Sequence, residues 1–299
     1  MTKAEIIQCV VDASRYRWLR DQGDLALMQE LIDESSAGWD MAKVRGTRYN
    51  TGDGITMALD AGAQSYGQWS GCHSVAWERY AADFGDVNAP HAGYRHSYPF
   101  GIMVNADGKR FCDEGADFRN YTYAKYGRVV LQQPGSFAWQ IFDQQVNHLM
   151  RDEYKLRGAT KVVANTLEEL VEKMQDVHPQ NFLDTVRAYN AAVKKDVAFD
   201  PNVKDGRCTT GLEINKTNWA NTFEKPPFEA YSVGCGITFT FGGLKIDTDT
   251  HVLDMEDAPI PGLYAAGELV GGIFYHNYPG GTGLTSGAVF GKLSGTTAG

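Results

Sequence analysis

The chain has 299 residues, of which 43% are hydrophobic and 22% are charged, so it is long and apolar enough to enclose a sizeable core. A formal net charge of −9 disfavours a nucleic-acid-binding protein, which needs clustered Lys and Arg, and the sequence has no apolar run long enough to span a membrane. The start lacks the pattern of a signal peptide, and the five scattered cysteines offer no zinc spacing. These features predict a soluble, cytoplasmic protein of α/β or α+β fold without a metal site.

The first half of the sequence alternates periodic segments with turns. Residues 3–34 carry apolar residues at three- and four-residue spacing, which predicts helix. A turn-rich stretch over 45–54 leads into a short helix that we expect to end at Gly62, because glycine adopts the left-handed cap conformation without a Cβ clash. Residues 101–111 have the pattern of a strand, a tight turn and a second strand.

The middle of the sequence is predicted to be more helical. Thr166 followed by Glu169 forms a capping box, which predicts the start of a helix. A further helix is predicted over about 181–195 from its apolar spacing. Residues 196–229 are rich in Asp, Asn, Gly, Lys and Pro, and are predicted to form long surface connections.

The C-terminal segment has the composition of a ligand-binding wall. Residues 234–246 predict strand and turn, and residues 263–266 predict a short buried strand that leaves through a tight turn at Gly267 and Glu268. The last predicted helix has one face without side chains, made by Gly283, Gly287, Gly291 and Gly295. Since each glycine costs up to about 1 kcal/mol in a helix, such a face needs a compensating reason. Two interpretations are open: a flat ring or anion at the helix N-terminus, or tight helix–sheet packing without a ligand.

The residues from Pro261 to Gly295 resemble the C-terminal FAD-binding signature of the fumarate reductase/succinate dehydrogenase flavoprotein superfamily. Within it the sequence is most similar to FAD-dependent tricarballylate dehydrogenases, and more distantly to 3-ketosteroid Δ1-dehydrogenases. The resemblance begins at about Gly38 and includes separated motifs in the family's order: Arg45-Gly46-Thr47, Thr51-Gly52-Asp53-Gly54, Gly71-Cys72-His73 and Thr238-Phe239-Thr240-Phe241-Gly242-Gly243.

This resemblance implies a domain arrangement and a set of cofactor contacts. In the superfamily a clamp (capping) domain is inserted into the FAD-binding domain. By motif position, residues 1–67 would be a remnant of the FAD-binding domain, 68–238 the clamp and substrate domain, and 239–299 the C-terminal part of the FAD-binding domain. The resemblance implies FAD contacts for Asp53, Gly267, Glu268, Gly281, Gly283 and Leu284.

The resemblance also implies three catalytic residues. His73 falls where fumarate reductases have a histidine for a substrate carboxylate, and Arg119 falls near their proton-transferring arginine with a spacing one residue longer. Without the resemblance, the first would be interpreted as a structural histidine and the second as a surface ion-pair partner. Tyr278 stands where the family has a second substrate arginine, and instead resembles the ketosteroid enzymes' tyrosine that binds a substrate carbonyl. The family's second substrate histidine is replaced by Thr238 or Phe239.

One family motif is missing from the sequence. We find no G-x-G-x-x-G fingerprint of the kind that holds the FAD pyrophosphate. We therefore expect a truncated or rearranged product, or one part of a split enzyme whose FAD site a partner subunit or a second copy completes.

Three functions remain open at the level of sequence. The first is an FAD-dependent oxidoreductase that acts on a C–C bond next to a carboxylate or carbonyl, with hydride exchanged at flavin N5 and a polycarboxylate such as tricarballylate as substrate. The second is a non-catalytic flavoprotein fragment that binds a small carboxylate or a partner without FAD. The third is an enzyme like the 3-ketosteroid Δ1-dehydrogenases.

Overall fold

The computed structural model describes residues 38–86, 93–156 and 158–299; the helix predicted over 3–34 lies outside them. These ranges contain five α-helices and eight β-strands. In chain order they are β1 (Lys43–Val44), α1 (Asp53–Asp60), β2 (Ser65–Glu78), β3 (Ile102–Val104), α2 (Arg119–Leu131), β4 (Ala138–Phe142), β5 (Lys161–Ala164), α3 (Leu167–Lys173), α4 (Pro179–Ala192), β6 (Phe228–Leu244), β7 (His251–Leu253), β8 (Pro259–Tyr264) and α5 (Thr282–Thr297). The mixed α/β fold is as predicted. In this part of the chain no helix is both long and apolar enough to cross a membrane.

The chain divides into two compact units. Of the described residues, 38–74, 83–86 and 237–299 form the first unit, and 75–82, 93–156 and 158–236 form the second. Two long strands, β2 and β6, contribute residues to both units. The first unit contains α1, β7, β8 and α5, while the second contains α2, α3 and α4.

The second unit is built on antiparallel strands. β3 pairs with β4, and β6 pairs with both β4 and β5. Alternate strand residues point to the same face, and on one face they join α3 and α4 in the largest core cluster, which includes Ile102, Val104, Trp139, Ile141, Phe228, Ala230, Leu170, Val171, Phe182 and Val186. The predicted capping box is confirmed, since the side chain of Thr166 accepts from the Glu169 backbone N–H at 3.1 Å.

The long connection before β6 is packed more tightly than predicted. The prediction of surface connections over 196–229 is wrong for Lys216, Asn218, Trp219 and Ala220, which are buried. The indole N–H of Trp219 donates to the backbone oxygens of Asp200 and Val203. Such bonds give the polar groups of an irregular segment their partners, and this allows the segment to be buried.

Local turn chemistry determines the ends of the elements in the first unit. Helix α1 starts after Gly52 and is followed by Gly62, both with positive φ, as predicted for the second glycine. β7 and β8 pair antiparallel, and a core cluster of Ala58, Ala63, Leu244, Val252, Ala265 and Val270 joins them to α1 and β6. The buried strand predicted over 263–266 is wrong in its burial: β8 is partly exposed, and the buried residue is Ala265, which follows it.

Candidate functional site

A pocket of about 300 Å³ lies within the first unit, where β2, β6, the segment after β8 and the start of α5 meet. Its walls combine aromatic rings with a few polar groups. The lining residues are His73, Thr238, Phe239, Thr240, Gly267, Glu268, Val270, Ile273, Phe274, Tyr278, Gly283, Leu284 and Ser286. This composition, mostly apolar with convergent polar groups, is typical of a small-molecule site.

His73 lies on β2 as a buried, neutral imidazole. The residue is 3% exposed, and its ring stacks on Phe239 with centroids 5.2 Å apart and tilts against Tyr278 at 4.6 Å. Burial, and then the positive charge of Arg45, lower the pKa of His73 to about 3. At neutral pH the ring therefore acts as a hydrogen-bonding group of either polarity and not as a cation.

Tyr278 is held among aromatic rings with its hydroxyl at the start of α5. Its ring lies edge-on to Phe239 at 5.2 Å and to Phe274 at 5.0 Å. The hydroxyl oxygen accepts from the Gly283 backbone N–H at 3.0 Å. Since that N–H can only donate, the phenolic hydrogen is directed to another acceptor. Tyr278 is thus set to donate.

The first turn of α5 presents backbone to the pocket. A Cβ at Gly283 would lie 3.2 Å from the ring and hydroxyl of Tyr278, which is tighter than ordinary contact. Gly281, the N-cap residue, has a φ of 92° and is not a lining residue. Leu284 lines the pocket and is 84% exposed. The hydroxyl oxygen of Ser286 is buried and has no hydrogen-bond partner among the described residues.

Another part of the pocket wall is formed by the segment that follows β8. Gly267 has a φ of 70°, and Glu268 comes directly after it in a short 3-10 helix. The two carboxylate oxygens of Glu268 accept from the Thr240 backbone N–H and from the Asn50 amide, each at 3.3 Å. Asp53 is exposed at the first residue of α1, where it accepts from the Thr51 hydroxyl, and it is not a lining residue.

Arg119 belongs to the second unit and is not a lining residue of this pocket. It is the first residue of α2, and its guanidinium lies 5.5 Å from the ring centroid of Tyr123. A cation at a helix N-terminus opposes the helix dipole. The aromatic face gives that charge a favourable contact.

Two residues in or beside the pocket were given no role by sequence reasoning. Arg45 donates from its guanidinium to the Thr238 hydroxyl at 2.6 Å. Phe274 packs against Phe239 and Tyr278. The segment around Phe274 has no regular secondary structure, so no periodic pattern could have indicated which way this ring points.

The sequence matches the family described as FAD binding domain over residues 20–284. It is 32% identical over 254 residues to the probable fumarate reductase Ifc3 of Shewanella frigidimarina, covering 83% of this chain and 38% of that protein. It is 31% identical over 268 residues to a 3-oxosteroid 1-dehydrogenase of Mycolicibacterium smegmatis, covering 82% of this chain and 45% of that protein.

A solved structure resembles the chain in fold. The open conformation of a flavocytochrome c3 fumarate reductase superposes with a TM-score of 0.59 and 28% identity, over 86% of this chain and 41% of that one. The chain therefore spans less than half the length of each of these proteins.

Proposed function

Because the chain belongs to the FAD binding domain family of the fumarate reductase/succinate dehydrogenase flavoprotein superfamily, we propose that it forms the substrate-handling part of an FAD-dependent oxidoreductase. The reaction is oxidation or reduction of a C–C bond next to a carboxylate or carbonyl. Two relatives support this class by their names, since fumarate has an alkene between two carboxylates and a 3-oxosteroid has a carbonyl near position 1.

One observation carries the proposal: a single pocket is lined both by a polar pair for substrate and by two glycines of the family's FAD-binding motifs. His73 and Tyr278 are in ring contact at 4.6 Å and line this pocket with Gly267, Glu268 and Gly283. A substrate oxygen needs fixed hydrogen-bond donors in an apolar cavity. A flat cofactor ring needs a surface free of side chains.

The described residues fit FAD at this wall. A Cβ at Gly267 or Gly281 would meet no atom within 4 Å, both residues have positive φ, and the buried Ser286 hydroxyl oxygen lacks a partner among the described residues. The residues that would hold the cofactor are Gly267, Glu268, Gly281, Gly283 and Leu284. Asp53, which accepts from the Thr51 hydroxyl at the start of α1, is predicted to contact it as well. When bound, FAD supplies the ring that accepts or donates the hydride.

The chain's own groups would then orient substrate and exclude water. Tyr278 donates to a carbonyl or carboxylate oxygen, and neutral His73 provides a second hydrogen bond without adding charge. The rings of Phe239 and Phe274 exclude water from the reacting carbon. Arg119 serves as the clamp or proton-transfer residue by its place in the family's motif, and the substrate is a polycarboxylate such as tricarballylate.

A second candidate is a cyclic-ketone dehydrogenase. The aromatic rings around Tyr278 favour it, because they suit a flat apolar substrate whose carbonyl the tyrosine binds. A 3-oxosteroid 1-dehydrogenase is also among the relatives of this chain. A non-catalytic fragment that binds a carboxylate or a partner without FAD is the third candidate.

The test is visible absorbance of the purified chain before and after addition of FAD, with bands expected near about 375 and 450 nm from the flavin ring. The flavin-loaded protein is then assayed with a dye acceptor against tricarballylate and a 3-oxosteroid, beside a Tyr278→Phe variant. Turnover of tricarballylate supports the first candidate, and turnover of the steroid alone supports the second. A chain that binds no flavin, alone or with a partner subunit, overturns both.

A further inference from the structure

A cation lies directly behind one wall of the pocket. Arg45 follows β1, and its backbone N–H donates to the Ile237 oxygen at 2.9 Å, which holds it beside β6. Its guanidinium Nη1 donates to the Thr238 hydroxyl oxygen at 2.6 Å. Thr238 lines the pocket and Arg45 does not. Both residues are half-buried and belong to the first unit.

The contact sets the polarity of the Thr238 hydroxyl. A guanidinium has five donors and no acceptor, so the threonine oxygen must accept from Arg45 and its hydrogen must go elsewhere. A distance of 2.6 Å is short for a bond between nitrogen and oxygen, as expected when the donor is charged. The Tyr278 hydroxyl, which accepts from the Gly283 N–H, is constrained in the same sense. Two hydroxyl donors therefore belong to one pocket.

The positive charge of Arg45 acts on a residue that lines the pocket. Its field is the second cause, after burial, of the lowered pKa of His73. The lining residues of the pocket include no Lys or Arg, and its one acidic residue, Glu268, accepts from Asn50 and the Thr240 backbone. A carboxylate placed among these aromatic rings needs a positive charge close by. Arg45 is placed to supply it.

We propose that Thr238 is a specificity-determining residue that donates its hydroxyl to one carboxylate oxygen of the substrate, and that Arg45 is the positioning residue that holds this hydroxyl and balances the charge. This rests on the proposed function, because it assigns a carboxylate subsite in the same pocket. The subsite selects an anionic oxygen at Thr238 and leaves the other end of the substrate to Tyr278 and His73.

The experiment is calorimetric titration of tricarballylate into the full chain with FAD added. Thr238→Val and Arg45→Met are each expected to weaken binding on the order of tenfold to a hundredfold, the range for a lost hydrogen bond to a charged group. The double variant is expected to lose less than the sum of the two single losses, because both changes remove the contact between Arg45 and Thr238. Thr238→Ser and Arg45→Lys should recover part of the affinity. Arg48→Met, an exposed arginine of the same turn, is the control and should bind as wild type does.

The possible results distinguish failure of the Thr238 and Arg45 assignment from failure of the proposed function. Wild-type chain that binds tricarballylate as tightly as Thr238→Val and Arg45→Met overturns this assignment and leaves the proposed function standing. Wild-type chain that holds FAD but no tricarballylate overturns the carboxylate subsite. Wild-type chain without FAD under any condition overturns the proposed function itself. If Arg45→Met fails to fold, the Thr238→Val and Thr238→Ser pair decides.

Discussion

The buried imidazole of His73 makes stability depend on pH. Its pKa in the folded chain is about 3, below the value of about 6.5 for an unfolded histidine, because burial and Arg45 disfavour the charged form. The unfolded state therefore binds the proton first as the pH falls. The contribution of the neutral His73 side chain to the free energy of unfolding is fully present above about pH 6.5. It is lost as the pH falls from there to about 3.

His73→Gln is expected to remove this dependence while keeping a polar side chain at the site. The free energy of unfolding of wild type, minus that of the variant, should fall by up to about 1.4 kcal/mol for each pH unit below about 6.5. Urea denaturation of both proteins at pH 7 and pH 5 measures the difference. Equal pH dependence in the two proteins would show that His73 titrates normally in the folded chain.

Sequence motifs identified several residues of the pocket, but they could not predict a contact that depends on how two strands pair. Motif positions pointed to His73, Glu268, Gly283 and Tyr278, and in the structure these four line one pocket. Their catalytic and cofactor roles stay predictions. The bond from Arg45 to Thr238 joins residues 193 positions apart. It depends on where β1 meets β6, which no local pattern in the sequence specifies.

Two glycines of the first unit are expected to respond oppositely to a Cβ. At Gly243 in β6 the added atom would lie 2.4 Å from the Leu269 backbone oxygen and 2.5 Å from the Gly271 nitrogen, so the backbone must shift. At Gly291 in α5 it would meet no atom within 4 Å. Since alanine is favoured over glycine in a helix by about 1 kcal/mol, Gly291→Ala should stabilise the chain, by up to that amount.

Thermal unfolding of the two alanine variants beside wild type checks this prediction. Gly243→Ala should lower the melting temperature and Gly291→Ala should raise it. A lowered melting temperature for Gly291→Ala would mean that another part of the protein or a second copy already covers this helix face.

A buried ion pair ties three segments of the second unit together. Glu78, the last residue of β2, accepts from Arg95 at 2.7 Å and from the Thr160 backbone N–H at 3.0 Å, and both side chains are buried. Glu78→Gln would remove this negative charge from beside the buried Arg95 guanidinium. Removing one partner of a buried pair costs roughly 3–5 kcal/mol.

Chemical denaturation measures that cost, with Asp184→Asn as the control. Asp184 and Arg187 form an exposed pair on α4, for which the expected change is within about 0.5 kcal/mol. If Glu78→Gln destabilises the chain no more than this surface change does, water or another cation compensates the buried arginine.

Helix caps and turns could be predicted from local sequence signals, whereas a fully buried strand could not. The capping box at Thr166, the cap at Gly62 and the turn before Gly108 follow from side-chain and backbone chemistry within a few residues. β4 escaped prediction because all five of its residues are buried, so it lacks alternation. Its one polar side chain, Gln140, is buried only because Tyr154 and the Arg95 oxygen bond to it.

At the scale of the whole molecule, the exposed surface of α5 bears on where the cofactor binds. No residue of α5 is buried in the described part of the chain, although Leu284, Val289 and Leu293 are apolar. A helix of this composition usually buries a stripe of its surface. We therefore expect bound FAD to cover the start of this helix.

Hydrogen exchange with and without FAD tests where the cofactor binds. A ligand that binds only the folded state slows exchange in the segments that it stabilises. We expect slower exchange in residues 267–270 and 281–286, because these two segments contribute Gly267, Glu268 and Gly283 to the lining of the pocket. Helix α4 in the second unit serves as the internal control and should exchange at an unchanged rate. Bound flavin with protection confined to the second unit would place the cofactor elsewhere and remove the assigned role of the α5 start. Protection at both ends of the wall, reversed by Gly283→Val but not by Gly291→Ala, would assign the contact to the first turn, because only the first of these side chains would be directed at Tyr278.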